Sequence, residues 1–301
     1  MGKGPRSDLE AATYPDRAPQ YFYPPQPKPW FPWLVPTIFI VDVALFAYTM
    51  YVNDCPSTTG IDLCVFPSLG RFSFQPLSQN PLFGPSTTTL ELMGALEWRL
   101  VVKKGEWWRL FSCIWLHAGA IHLIANMMSL LFIGVRLEQE FGFLKIGLLY
   151  VLSGFGGSLL SSLNLQSAMS VGASGALFGM LGAMLSELLT NWTIYSNKCT
   201  SLFNLLFIIG LNLVVGLLPN VDSSAHIGGF LSGFFLGFIL LIRPQFGWVS
   251  RKHIPPGYDM RHLKPKHKCY QYLLWIVSFV VLTIGYIGGL LKLYGVEPSK
   301  H

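Results

Sequence analysis

Charge is what this sequence has least of. Asp, Glu, Lys and Arg make up 12% of its 301 residues, against 51% hydrophobic ones. So few charges exclude an ordinary solvated domain. The formal charge of +6 does not point to nucleic acid, because the basic excess sits in one stretch between apolar runs. Metal-ligand spacing is also missing: the five cysteines form no Cys-x-x-Cys pair, which argues against zinc, and no cofactor motif is present. The first 30 positions contain no apolar run, so no cleavable signal peptide is expected there. They carry Asp8, Glu10 and Asp16, acids that a mitochondrial presequence lacks. With Pro24, Pro25, Pro27 and Pro29, residues 1–30 read as a disordered cytosolic tail.

What the chain does have is apolar runs able to cross a ~30 Å hydrocarbon core. Seven are legible, at about 33–52, 110–135, 146–163, 174–189, 202–218, 223–242 and 272–294. They predict an all-α polytopic membrane protein in contact with lipid along most of its length. The 243–271 loop holds Arg243, Arg251, Lys252, Arg261, Lys264, Lys266 and Lys268 against the single acid Asp259, so it is expected in the cytosol. Counting back puts the N-terminus in the cytosol and the long 53–108 loop on the luminal or extracellular side. There Cys55 and Cys64 can form a disulfide. The Asn191-Trp192-Thr193 sequon falls on the cytosolic side and is expected to be unmodified. Trp98, Trp107 and Trp108, with Arg99 and Arg109, suit a headgroup-layer anchor. Asp42, inside the first span, is either a functional group or a carboxyl hydrogen-bonded among neighbouring helices.

The chemistry gathers at Gly172-Ala173-Ser174-Gly175, where a span begins. A hydroxyl there sits among the unpaired N–H groups and positive dipole end of a helix, which favour developing negative charge. The sixth span opens Asp222-Ser223-Ser224-Ala225-His226 and enters the membrane from the same side. Gly175, Gly179 and Ala183 in one span and Ala225, Gly229, Gly233 and Gly237 in the other form small-residue ridges at four-residue spacing, which permit close approach. That approach would bring Ser174, as nucleophile, to His226, as base. In the second span His122 and Asn126 lie four apart on one helix face and suit an oxyanion site together with the Ser174 amide. For Asn126 a helix-to-helix hydrogen bond is the structural alternative. His117, five residues before His122, has a separate structural task. Asp222 is better explained as a helix cap than as the third member of a triad, so the expected machinery is a dyad.

These pieces together resemble a rhomboid intramembrane serine protease over about residues 98–242: Trp108-Arg109, His117 with His122 and Asn126, Gly172-Ala173-Ser174-Gly175, and Ala225-His226 followed by Gly229, Gly233 and Gly237. The resemblance implies a six-helix core, here residues 31–242, and hydrolysis of single-span transmembrane proteins near the luminal end of their span. It implies that Trp108 and Arg109 hold the long loop in the outer leaflet and that Glu138 supports that loop. Phe178, where some members have tyrosine, is expected to pack on His226. The seventh span, within 272–301, resembles the eukaryotic secretory-pathway type, most of all plant rhomboid-like proteins of the Golgi and plasma membrane. Inactive members that bind and route clients are the rival reading. The chain keeps both Ser174 and His226 and has Ala173 where such proteins place proline. A transporter reading lacks the inverted repeats and interrupted helices it would need.

Overall fold

The computed structural model describes residues 29–165, 169–192, 197–216, 221–243 and 267–295. The tail 1–28 and nearly all of the basic 243–271 loop lie outside them, so the readings of both segments do too. Among the described residues, seven apolar helices overlap the seven runs, the second of them shifted along its run. They are α1 (Leu34–Asn53), α2 (Ala120–Phe141), α3 (Phe143–Asn164), α4 (Ser174–Thr190), α5 (Lys198–Gly216), α6 (Ser223–Leu240) and α7 (Cys269–Gly295). The protein is therefore a polytopic, all-α membrane protein. Five of these helices are long and apolar enough to cross a bilayer, while α4 and the apolar part of α5, Lys198–Val214, are shorter. A short α4 is tolerable because it runs through the middle of the bundle: most of its residues are buried by other helices.

The run at 110–135 is only in part a span. Residues 109–115 make a short helical segment, Leu116 is extended, and α2 starts at Ala120. The Ala120 amide donates to Phe83 O at 2.8 Å. Gly119 lies so close to the Leu82 backbone that no Cβ would fit. Apolar composition drove the expectation of one helix here, but this contact pins the chain and breaks it. Farther along, α2 contains a π-helical turn at Leu130–Gly134. Gly134 there lies against Val35 of α1.

Glu138 does not support the long loop; this corrects the expectation drawn from the resemblance. It lies at the opposite end of the bundle, fully buried. Its Oε1 accepts from the Trp33 and Leu34 amides and its Oε2 from the Val35 amide, at 2.8–2.9 Å. The start of α1 has no side-chain cap of its own. A helix start leaves four N–H groups unpaired, and a carboxylate beside them complements the dipole. Trp98 is a second correction: it is buried in the core and cannot serve the headgroup layer, whereas Trp107 and Trp108 remain exposed.

The centre of the bundle is α3, α4 and α6, with backbone against backbone. A Cβ at Gly229 would strike the Gly175 carbonyl group, one at Gly233 that of Gly179, and one at Gly237 would meet Ala183 Cα at 2.8 Å. On α3, a Cβ at Gly157 would lie 2.6 Å from Ala225 O. The small-residue ridges thus meet. Helix α7 leans on α3 and α6 from outside: Tyr286 donates its hydroxyl to Leu152 O at 3.0 Å and sets its ring edge-on to Phe155. Most of its other side chains are exposed.

The 53–108 segment is built rather than loose. Cys55 and Cys64 are disulfide-bonded. Asn53 Oδ1 gathers Gln75 Nε2, the Ser86 amide and Thr89 Oγ1. Asp42 is buried between helices as the structural reading held, yet neither of its oxygens meets a hydrogen-bond donor among the described residues. Asn191 of the sequon is fully buried, with its amide donating to Glu187 and Leu241 O.

Candidate active site

Helix α4 begins at Ser174 because the chain turns sharply at Gly172, just before its N-cap Ala173. Gly172 has φ +130°, a conformation that side chains resist. Its amide donates to Cys113 O at 2.9 Å, and Ser170 pairs with Leu96 through two backbone bonds. These ties fix the approach to Ser174 against the 95–115 segment. The hydroxyl therefore stands at a helix N-terminus, half-buried at one end of the bundle.

Helix α6 begins at Asp222, whose Oδ1 accepts the Ala225 amide at 2.9 Å and whose Oδ2 accepts the Ser161 hydroxyl. Asp222 is thus an N-cap, occupied on both oxygens. One turn on, His226 is buried and its Nε2 lies 2.9 Å from Ser174 Oγ. The other ring nitrogen, Nδ1, has no carboxylate or other hydrogen-bond partner among the described residues. The ring is oriented by stacking: Phe178, one turn below Ser174, lies parallel to it with centroids 4.3 Å apart and 16° between planes. A phenyl face holds the imidazole without consuming a nitrogen.

Across from this pair stands the first turn and a half of α2. A Cβ at Gly172 would lie 2.7 Å from His122 Cε1, 2.9 Å from its Nε2 and 3.6 Å from Asn126 Nδ2. His122 and Asn126 therefore both reach the backbone just ahead of Ser174. His122 Nδ1 accepts from the Ala118 amide at 3.4 Å, which leaves the proton of the neutral ring on Nε2, facing Gly172. Asn126 is buried and its Nδ2 has no acceptor among the described residues. Two donors aimed at the backbone beside a hydroxyl, that of Asn126 without an acceptor among the described residues, suit a negative oxygen.

His117 is fully buried with its ring edge-on to His122, centroids 5.5 Å apart. It lies in the break before α2 rather than round the helix from His122. Trp108 and Arg109 are drawn together, with the guanidinium 4.8 Å above the indole. Arg109 also pairs with Glu106 and donates to Glu91 O and Ala95 O. That arginine ties three turns of the long segment to one another. Gly94, with φ +108°, makes room for the Trp108 ring. Sequence reasoning missed Gly172 as a conformational requirement and Ser161 as the partner of Asp222. The positive φ leaves no mark beyond the glycine itself, and a contact sixty-one positions away leaves none at all.

The chain is similar to known proteins over most of its length. Residues 104–243 match the Rhomboid domain. Over 275 residues the chain is 61% identical to RHOMBOID-like protein 1 of Arabidopsis thaliana, covering 91% of this chain and 70% of that protein. It is 60% identical over 298 residues to RHOMBOID-like protein 5 of the same plant, covering 97% and 95%. A more distant relative, 41% identical over 279 residues (89% of this chain, 78% of that one), is named Inactive RHOMBOID-like protein 8, also from Arabidopsis thaliana.

Proposed function

We propose, from the premise that this chain belongs to the rhomboid family, that it is an intramembrane serine endopeptidase working through a Ser174–His226 dyad. The observation that carries this reading is the 2.9 Å contact between Ser174 Oγ and His226 Nε2 at the start of two helices packed backbone to backbone. Ser174 Oγ attacks the carbonyl carbon of a peptide bond while His226 Nε2 takes its proton. The carbonyl oxygen becomes an oxyanion, which accepts from the Ser174 amide, His122 Nε2–H and Asn126 Nδ2. Imidazolium then protonates the leaving amine. Water, deprotonated by the same nitrogen, releases the acyl-enzyme. Proton transfer by such a base contributes roughly 10²–10⁴-fold, and each oxyanion donor about 10²-fold or more.

A helical substrate hides its carbonyls, so the bond that is cut must lie where a single transmembrane span has unwound. The Ser174 end of the bundle is the luminal or extracellular one in this reading, with the N-terminus cytosolic and the protein in the Golgi or plasma membrane. Residues 31–242 form the catalytic unit, with the basic loop and seventh helix appended. Trp108 and Arg109 hold the long segment at the membrane surface.

The test is cleavage of a model single-span substrate in co-reconstituted liposomes by wild type, Ser174→Ala and His226→Ala. Product from wild type and none above background from either variant is expected. Product from Ser174→Ala at the wild-type level would remove the proposal. Wild type that binds the substrate without cutting it would favour the client-binding role instead.

A further inference from the structure

Helix α7 stands outside the part matched to the Rhomboid domain, which ends at residue 243. Most of its side chains face outward. In its second half Leu282, Tyr286, Gly289 and Leu293, three or four apart, make the stripe that meets the bundle. Tyr286 supplies the polar group of that stripe, donating its hydroxyl to Leu152 O of α3 at 3.0 Å. A carbonyl within a helix keeps a second lone pair for such an outside donor. Beside the same hydroxyl lies that of Ser232 on α6, near enough to act on it. A Cβ on Gly156 of α3 would strike Ser232 Oγ and lie 3.2 Å from Tyr286 Cε1. Three helices therefore meet at this glycine.

The meeting point lies beneath the Ser174–His226 pair. Ser232 follows His226 by six residues, about 9 Å along α6 at 1.5 Å per residue. On α3, Leu152 precedes Gly157, the glycine beside Ala225, by five residues, or about 8 Å. Above that level glycine backbone holds α6 against its neighbours. Such a seam lets helices come close, but it has few interlocking side chains to fix one against the other along their axes. A directed hydrogen bond from a third helix supplies that register. The Tyr286 ring also extends the support sideways. It stands edge-on to Phe155 with centroids 5.2 Å apart, and Phe155 stacks on Phe111 at 5.0 Å with 14° between planes. Phe111 belongs to the 109–115 segment, whose Cys113 carbonyl accepts the Gly172 amide just ahead of Ser174. At its other end α7 is tied down by Tyr270, which donates to Thr190 O at 2.8 Å, and by Gln271, which donates to Arg243 O at 3.1 Å.

We propose that Tyr286 is a positioning residue for the dyad: from α7 it fixes α6 against α3 and backs the Phe155–Phe111 stack. A helix outside the matched domain thereby sets the geometry of a site it does not touch. The inference rests on the reading of Ser174 and His226 as nucleophile and base. Without the Tyr286 hydroxyl, α6 is free to slide along its glycine seam, and the 2.9 Å contact between Ser174 Oγ and His226 Nε2 lengthens.

The test measures how fast a fluorophosphonate labels Ser174 in the full chain, in detergent, for wild type, Tyr286→Phe and Gly289→Val. In that reaction Ser174 Oγ displaces fluoride from phosphorus and His226 takes the proton, so the rate reads the dyad without a peptide substrate. Tyr286→Phe keeps the ring on Phe155. It is expected to label about tenfold more slowly than wild type but to the same final extent. Gly289→Val presses on Leu159 and lifts α7 by an independent change, and is expected to slow labelling at least as much. A variant damaged only in folding would lose final extent and keep its rate. An unchanged rate in Tyr286→Phe, or in Gly289→Val should the first not fold, would overturn the inference whatever the extent. Wild type labelled no faster than Ser174→Ala would remove the dyad reading, and the inference with it.

Discussion

At the level of single residues the site is asymmetric in how its groups are held. His226 is kept in place by a stacked phenyl ring and one hydroxyl contact, whereas Asp222, the nearest carboxylate in sequence, is spent on capping. Asp222→Ala should therefore lower stability by about 1 kcal/mol, the usual cost of a lost N-cap, and leave the proposed turnover by the folded protein within a few-fold. Thermal unfolding in detergent and single-turnover cleavage separate the two; a loss of several orders of magnitude in turnover would make Asp222 a triad member after all. Asn126→Ala should cut kcat by about 10²-fold with little change in KM, because the amide acts on charge that exists only in the transition state. Steady-state kinetics in liposomes would show it. Glu138→Ala orphans three amides at the start of α1, that of Val35 buried and the other two partly so, and should cost about 2–4 kcal/mol. Its effect on cleavage should follow the loss of folded protein only, as expected of a residue at the far end of the bundle.

Among the elements, the pair α4 and α6 decides whether there is a site at all. Gly233 touches the Gly179 backbone, so even Gly233→Ala must push the helices apart. A shift of one ångström at that contact lengthens the 2.9 Å hydrogen bond beyond use. Cleavage should fall by more than tenfold, on the rough scale of a misplaced catalytic group. Gly285→Ala in α7 has open space around its position and should be silent in the same assay. The ridges were readable as a four-residue repeat, which is why the partnership of α4 and α6 could be anticipated. The break at 116–119 could not, since the apolar pattern continues through it and the cause, Leu82 and Phe83, lies in a distant loop. The cap on α1 was likewise invisible: it comes from 104 positions away, and local reading searches only the neighbouring residues.

For the whole molecule, the bundle is stabilised from inside by small residues and at one end by a covalently closed segment. Reducing Cys55–Cys64 releases a loop of nine residues' separation. Chain entropy assigns that closure about 2.5 kcal/mol. Reductant should accordingly lower the unfolding midpoint of wild type and leave that of a Cys55→Ala, Cys64→Ala variant unchanged. Helix α7, attached chiefly through Tyr286, Gly289 and the Gln271 end, presents most of its surface outward. It adds mainly lipid-facing area to the molecule, while Leu282 and Leu293 join the buried core.

Sequence alone determined that this chain lives in a membrane, about where its apolar helices lie, and which side chains gather at the candidate site, because hydropathy, glycine spacing and a serine at a span start are local properties. Only the tertiary structure decided that Asp222 is occupied, that Glu138 caps a helix far from the site, and that the second apolar run breaks before α2. Each of these depends on which backbone groups are left unpaired once the helices have assembled. A buried N–H or C=O takes its partner from whatever lies beside it in space, at any separation along the chain.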